Sequence, residues 1–323
     1  MSNESGALPL LQVAGLTVDY RTRAGNVRAV DQVSISLEKG QTLGIVGESG
    51  CGKSTLGLAL IRLVPSPGLI SAGTIVVDGT NIIRLSENEI RKLRARVGFI
   101  FQDPMTSLNP VKKIGDHFVE FLRAHEKNVT KEESIERAGK ILESLGIGRE
   151  RINDYPHQFS GGMRQRVMIG LGLALNPKLL IADEPTTSLD VIVEAQILEL
   201  MNKLKRDYDL TLILITHNIG IVAEMADTIA VMYAGRIVEV GPTVDIFENP
   251  LHPYTKGLLE SAPNIVHPER LMHPIPGSPP DLISPPSGCK FHPRCPHAFE
   301  PCPLREPQLV QRERRLVACH LYD

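Results

Sequence analysis

The chain has 323 residues, 42% hydrophobic and 22% charged, with a formal net charge of −2 at pH 7. That length suits one large domain with appendages or two domains, and the near-neutral charge gives no general case for nucleic acid. The absence of Trp argues against a base-stacking platform, no apolar run reaches the roughly 18 residues that span a bilayer, and MSNESGALPL lacks the features of a signal peptide.

In chain order, LQVAGLTVDY (11–20), VSISL (33–37) and TLGIV (42–46) read as short strands. GESGCGKST (47–55) follows directly. It fits G-x-x-x-x-G-K-[ST], and LGLALIRL (56–63) continues it as a helix. Strand, Gly-rich loop and helix in that order make a phosphate-binding loop. Glycines 47, 50 and 52 let the backbone curl so that N–H groups point into one concavity at a helix N-terminus. Lys53 can reach the β- and γ-phosphates and Ser54 can ligate Mg²⁺.

TIVVDG (74–79) and VGFIFQ (97–102) read as strands around a polar helix near 86–95. From about 110 to 175 the pattern is helical and charged, with KEESIERAGKILESLG (131–146) the clearest amphipathic helix. LLIADE (179–184) and TLILITH (211–217) are β-type runs separated by the helix VIVEAQILELMNKLKRD (191–207). IAVMYAGRIVEVG (229–241) reads as a hairpin with Ala-Gly at its turn. This alternation implies a mainly parallel sheet covered on both faces. LLIAD ends in Asp183, which in a nucleotide-binding frame holds Mg²⁺; Glu184 next to it is placed to polarise the attacking water as general base.

Gln102 follows VGFIF, FSGGMRQR occupies 159–166, TSLD occupies 187–190, His217 ends TLILIT, and Tyr20 lies well before the loop. In this order the motifs resemble those of the ATP-binding cassette (ABC) ATPases over roughly residues 10–262. The resemblance implies an α/β fold: a RecA-like P-loop core, an antiparallel β subdomain and a helical signature subdomain. The expected nucleotide-binding domain is 8–262, with its helical part at about 110–175. ATP would be held by Gly47, Glu48, Ser49, Gly50, Cys51, Gly52, Lys53, Ser54 and Thr55, with Tyr20 stacking on adenine. Ser54, Gln102 and Asp183 would serve Mg²⁺. Gln102 would sense the γ-phosphate, Glu184 and His217 would handle the attacking water, and Asp190 would communicate across a subunit interface.

Ser160, Gly161 and Gly162 lie before a helix, a natural anion site. In the family they cap the γ-phosphate held by the other member of a head-to-tail ATPase pair. The motif departs from LSGGQ in reading FSGGM, and Met163 cannot make the hydrogen bonds of Gln. We read this form as a subfamily mark.

QDPMTSLNP (102–110), DEPTTSLDV (183–191), FENPLHPYTKGLLESAP (247–263) and the tail PIPGSPPDLISPPSGCKFHPRCPHAFEPCPLREP (274–307) resemble the ATPases of oligopeptide and dipeptide importers, a group that also serves nickel. The implied partners are a homologous second ATPase, two transmembrane permease subunits and an extracytoplasmic solute-binding protein. The implied location is the cytoplasmic face of the membrane, as a peripheral subunit. The alternatives are nickel or oligosaccharide cargo, or a soluble ABC ATPase uncoupled from transport; one cassette and no long heptad insertion weigh against the latter.

Near residue 262 Pro becomes dense, elements are hard to place, and four of the five Cys follow, which sets off 263–323 as a Pro/Cys-rich extension. Cys289, Cys295, Cys302 and Cys319 are spaced x5, x6 and x16, unlike ferredoxin runs or a C-x₂-C zinc ribbon. Spacing leaves Zn²⁺ and an iron–sulfur cluster equal; the family resemblance favours a 4Fe–4S cluster on all four Cys. Of the late His residues, His252, His267, His273, His292 and His297 read as mostly solvent-facing, with His297 and His320 as alternative ligands. Arg294, Arg305, Arg312, Arg314 and Arg315 are candidates to offset the charge of a thiolate-ligated cluster, with a solvated basic surface the reading for most of them. Cys51 reads as loop filler with a thiol open to reaction when ATP is absent.

Overall fold

The computed structural model describes residues 8–103, 107–187, 189–261 and 274–323. Residues 104–106 of the Gln102 segment, Ser188 of TSLD, the expected boundary at 262/263, and His267 and His273 lie outside them. The chain forms two compact units, Met1–Ile83 with Leu214–Asp323, and Arg84–Ile213.

The first unit opens with β1 (Leu11–Thr22) and β2 (Gly25–Leu37), an antiparallel hairpin in which Thr22 pairs with Gly25. β2 begins eight residues before the VSISL run, because its first half is polar and lacks a clean period of two. β1 bulges between Val13 and Leu16, where Gly15 takes φ +59°. Next come β3 (Thr42–Val46), α1 (Lys53–Ala59), β4 (Gly68–Val77) and β5 (Thr80–Asn81). One sheet runs in the order β2-β1-β4-β5, all antiparallel.

The second unit holds α2 (Glu87–Arg94), β6 (Val97–Ile100), α3 (Ile114–His125), α4 (Lys131–Ser144), α5 (Gly161–Leu173), β7 (Leu179–Asp183) and α6 (Val191–Asp207). β6 and β7 pair in parallel, Val97 opposite Leu179. Two helix starts follow from local chemistry. Ser86 with Glu89 and Thr130 with Glu133 each form a reciprocal capping box that satisfies otherwise orphaned N–H groups.

β8 (Thr211–Thr216) carries the chain back to the first unit, which continues with α7 (Ile219–Met225), β9 (Thr228–Tyr233) and β10 (Arg236–Pro242). β3 runs parallel to β9, and every residue of β3, β7 and β8 is buried, as strands covered on both faces require. The β9–β10 hairpin turns on Ala234 and Gly235, both at positive φ, with Tyr233 opposite Arg236.

The unit ends with α8 (Thr243–Glu248), α9 (Pro253–Glu260), α10 (Pro301–Leu304), β11 (Val310–Arg312) and β12 (Arg315–Val317). The last two strands were not legible in the sequence. They are three residues each, and their pairing is what defines them: β12 lies against both β11 and β10, with Val317 buried opposite Glu239. The tail is thereby hydrogen-bonded into the sheet containing β3, β9 and β10.

Candidate functional site

The residues expected to handle nucleotide fall in both units. In the first, β3 delivers the chain to the loop at Gly47. A Cβ there would stand 2.1 Å from the Met232 carbonyl oxygen, and one on Gly52 (φ +105°) would stand 2.0 Å from that of Ala29. Only glycine fits either place. Lys53 is 4% exposed; its Nζ donates to the carbonyls of Gly47 (2.7 Å) and Glu48 (3.0 Å), which fixes the ammonium inside the curl of the loop. Ser54 and Thr55 follow in the first turn of α1. Ser49 and Gly50 are exposed at the loop tip.

Cys51 is 4% exposed, and burial pushes its thiol above the usual range. This corrects the expectation of a reactive thiol: Cys51 is packing. Tyr20 lies on β1 opposite Gly68 of β4, where a Cβ would come within 2.6 Å of the Tyr20 ring. His217 stands exposed just beyond β8.

Glu48 is held from two sides. Its N–H donates to the Tyr254 hydroxyl (2.9 Å), and its carboxylate accepts from Arg294 Nη1 (2.7 Å) and Nη2 (2.9 Å). Tyr254 was not singled out from sequence, and Arg294 was, but in another role. Tyr254 sits inside the quoted FENPLHPYTK run, so the signal was present without its meaning.

In the second unit, Asp183 ends β7 and is buried. Glu184 takes φ +47°, a left-handed conformation that costs a non-glycine residue about 1–3 kcal/mol and persists where its surroundings hold it. Gln102 Nε2 donates to Glu184 Oε2 (2.9 Å), and Thr187 Oγ1 donates to the same oxygen (2.8 Å). Gln102 and Glu184, 82 positions apart, are thus brought together. Thr187 is the residue sequence reasoning passed over. Ser54 in the first unit offers a hydroxyl, and Gln102 and Asp183 in the second offer amide and carboxylate oxygens, each a donor type that Mg²⁺ takes.

Ser160 caps α5, its Oγ accepting from Met163 N (3.3 Å). A Cβ on Gly162 would lie 2.5 Å from Val193 of α6, so close helix packing selects glycine there, while Gly161 has ordinary room. Met163 Sδ accepts from Arg151 (3.8 Å), whose guanidinium stacks over Phe159. Asp190 caps α6 by accepting from Val193 N (3.0 Å).

The four tail cysteines, Cys289, Cys295, Cys302 and Cys319, line one small cavity beside Phe291 and Phe299. Cys289 N donates to Cys302 O (2.7 Å). Burial pushes the thiols of Cys289 and Cys319 up to about 11 and raises that of Cys295. Such thiols ionise readily only beside a bound cation, so the donor set fits a metal group. No three His, Cys, Asp or Glu among the described residues are grouped as the ligands of a single ion.

His292, His297 and His320 line the same cavity, and His320 pairs with Asp323 (2.5 Å). His252 departs from the solvent-facing expectation. It is 1% exposed, burial lowers it to about 3, and its Nδ1 accepts from Tyr254 N at the start of α9. Arg305, Arg312 and Arg314 are exposed as expected, but Arg294 and Arg315 are buried in hydrogen bonds. Among the described residues no helix is long and apolar enough to cross a membrane.

Residues 30–187 match the ABC transporter family, and residues 238–302 match the oligopeptide/dipeptide transporter C-terminal region. The chain is 48% identical to the oligopeptide transport ATP-binding protein OppD of Escherichia coli (strain K12), over 96% of this chain and 92% of that protein. It is 46% identical to the dipeptide transport ATP-binding protein DppD of Bacillus subtilis (strain 168), over 97% and 95%. The dimeric ATP-binding cassette MJ0796 bound to ADP and Pi superposes with a TM-score of 0.64 at 26% identity, covering 72% of this chain and 98% of that one. The fold is therefore that of an ABC ATPase nucleotide-binding domain. The chain belongs to the ATP-binding subunits of ABC transporters, in their oligopeptide/dipeptide group.

Proposed function

We infer that this chain hydrolyses ATP to drive uptake of di- and oligopeptides through a membrane ABC importer. The observation that carries this is identity of nearly one half, over almost full length, to proteins named for oligopeptide and dipeptide transport, together with the built phosphate loop. In our reading Lys53 and the loop N–H groups hold the β- and γ-phosphates. Mg²⁺, which neutralises phosphate charge, is held through Ser54, Gln102 and Asp183. Glu184, fixed by Gln102 and Thr187, takes a proton from the attacking water, which His217 orients. Tyr20 stacks on adenine. Ser160, Gly161 and Gly162 cap the γ-phosphate of a partner ATPase in a head-to-tail pair, and Asp190 faces that interface.

The assembly we propose has a homologous second ATPase, two permease subunits and an extracytoplasmic solute-binding protein, with this chain on the cytoplasmic face. Residues 8–262 form the nucleotide-binding domain, with helical residues 110–175, and 263–323 the extension. We further propose that the four cysteines hold a 4Fe–4S cluster. The support is that all four thiols line one pocket, together with the likeness of the tail to these ATPases.

The test is ATP turnover by the chain co-purified with its native membrane partners and binding protein, with and without peptides. Stimulation by peptides, abolished by Glu184→Gln, is expected. Turnover indifferent to peptides moves the cargo to nickel or sugars. Purification without membrane partners overturns the importer reading in favour of a soluble ATPase.

A further inference from the structure

Arg294 lies between Cys289 and Cys295, where a cation would be expected to face the thiolates. Its guanidinium is used elsewhere. Nε donates to Pro276 O (2.8 Å), Nη1 to Glu48 Oε2 (2.7 Å) and Tyr233 Oη (3.3 Å), and Nη2 to Glu48 Oε1 (2.9 Å) and Ile275 O (3.4 Å). All five N–H donors of the fork are accounted for, and the side chain is 6% exposed. A bidentate guanidinium–carboxylate pair fixes direction as well as distance.

The backbone behind Arg294 is equally constrained. Successive bonds run from His292 N to Cys289 O, Arg294 N to Phe291 O and Cys295 N to His292 O. Tyr254, which holds the Glu48 N–H, packs its ring 5.4 Å from that of Phe291. Glu48 is the second residue of the phosphate-binding loop, and its side chain and its amide are both fixed by groups adjoining the cysteine cavity.

We propose that Arg294 is a positioning residue for the phosphate-binding loop: by holding the Glu48 carboxylate it sets the loop conformation that takes nucleotide. The proposal rests on the reading of residues 47–55 as the nucleotide site. It makes the cysteine-bearing tail part of the nucleotide site's support, with Arg294 touching neither phosphate nor metal.

The test is equilibrium binding of a fluorescent ATP analogue to the full-length chain. The variants are Arg294→Ala, Arg294→Lys, Glu48→Gln, the Arg294→Ala/Glu48→Gln double variant, and Lys53→Ala as the control on the loop. Arg294→Ala and Glu48→Gln should each weaken binding about tenfold, and the double variant should lose no more than about twofold beyond the worse single one. Arg294→Lys, a point charge without the fork, should fall between wild type and Arg294→Ala. In the reconstituted complex Arg294→Ala should raise KM for ATP more than it lowers kcat.

Wild-type affinity in Arg294→Ala, with binding lost in Lys53→Ala, overturns the proposal and leaves the nucleotide site standing. Wild-type affinity in Lys53→Ala overturns the reading of the loop itself. Additive losses in the double variant also overturn the proposal, since they separate Arg294 from Glu48. If Arg294→Ala does not fold, Glu48→Gln removes the same pair from the loop side, and unchanged affinity there is decisive against it.

Discussion

Glu184 combines a left-handed backbone with two hydrogen bonds to one carboxylate oxygen. Such a residue is placed at local cost, which is what a positioned base requires. Glu184→Gln keeps the shape while removing the basic oxygen. It should lower turnover about 10²- to 10⁴-fold and leave ATP affinity near wild type; single-turnover kinetics beside equilibrium binding would separate the two. Asp31 is the other residue where several elements meet. It accepts from Lys290 (2.9 Å) and Arg236 (3.0 Å), with Arg28 at 3.6 Å, while its N–H donates to Gly235 O (2.8 Å). Burial alone would raise its carboxyl, but the hydrogen bonds from Lys290 and Arg236 outweigh that and hold it below the usual range. A lowered folded value gives stability that is complete above the ordinary 3.8 and is lost as the pH falls through the folded value. Asp31→Asn should cost about 3 kcal/mol at pH 7, because the largely buried Lys290 loses its carboxylate and Arg236 is left with Glu306 alone. The gap between variant and wild type in urea unfolding should close in acid below about pH 4.

At the scale of elements, the buried strands are packed against helices with little slack. Gly44 in the middle of β3 is the tightest case: a Cβ would lie 2.1 Å from Val222 Cγ1 and 3.1 Å from Ala226 Cβ at α7. Gly44→Ala must push α7 off the strand. It should destabilise the first unit by about 1–3 kcal/mol and lower its thermal midpoint, and because β3 leads straight into the loop, ATP affinity should fall with it. An Ala variant as stable as wild type would show that the helix gives way freely. The aromatic cluster of Tyr233, Tyr254 and Phe291 does the corresponding work between β9, α9 and the tail, with ring centroids 4.6–5.4 Å apart.

At the scale of the molecule, the tail is fastened by more than its own contacts. β12 extends the sheet at β10, Lys290 reaches Asp31 on β2, Arg294 reaches Glu48, and Arg315 reaches the carbonyls of Asp245 and Asn249. The four thiols line one cavity in that tail. A metal group binding there would add its free energy to the order of the tail. Anaerobically purified protein should carry iron and acid-labile sulfide at about four each per chain. Cys302→Ser should lose that iron and make the tail the first site of limited proteolysis. Stoichiometric zinc without iron would overturn the cluster assignment.

The phosphate loop, the strand ending in Asp183, the helices near 86–95 and 131–146 and the Ala-Gly hairpin were legible in the sequence because each depends on neighbours a few positions away. Glycine spacing, apolar period and turn chemistry are all local. That the four tail cysteines line one cavity was not legible, since their spacings are irregular. The tertiary structure alone decided that Gln102 and Thr187 share one oxygen of Glu184. It alone decided that three-residue strands of the tail join the sheet, that His252 is buried and neutral, and that Arg294 faces the phosphate loop and not the cysteines. Arg294 and Glu48 are 246 positions apart. No spacing rule reaches that far: a charged side chain finds its partner only after the chain between them has packed, and until then an arginine beside a cysteine looks like any other solvated cation.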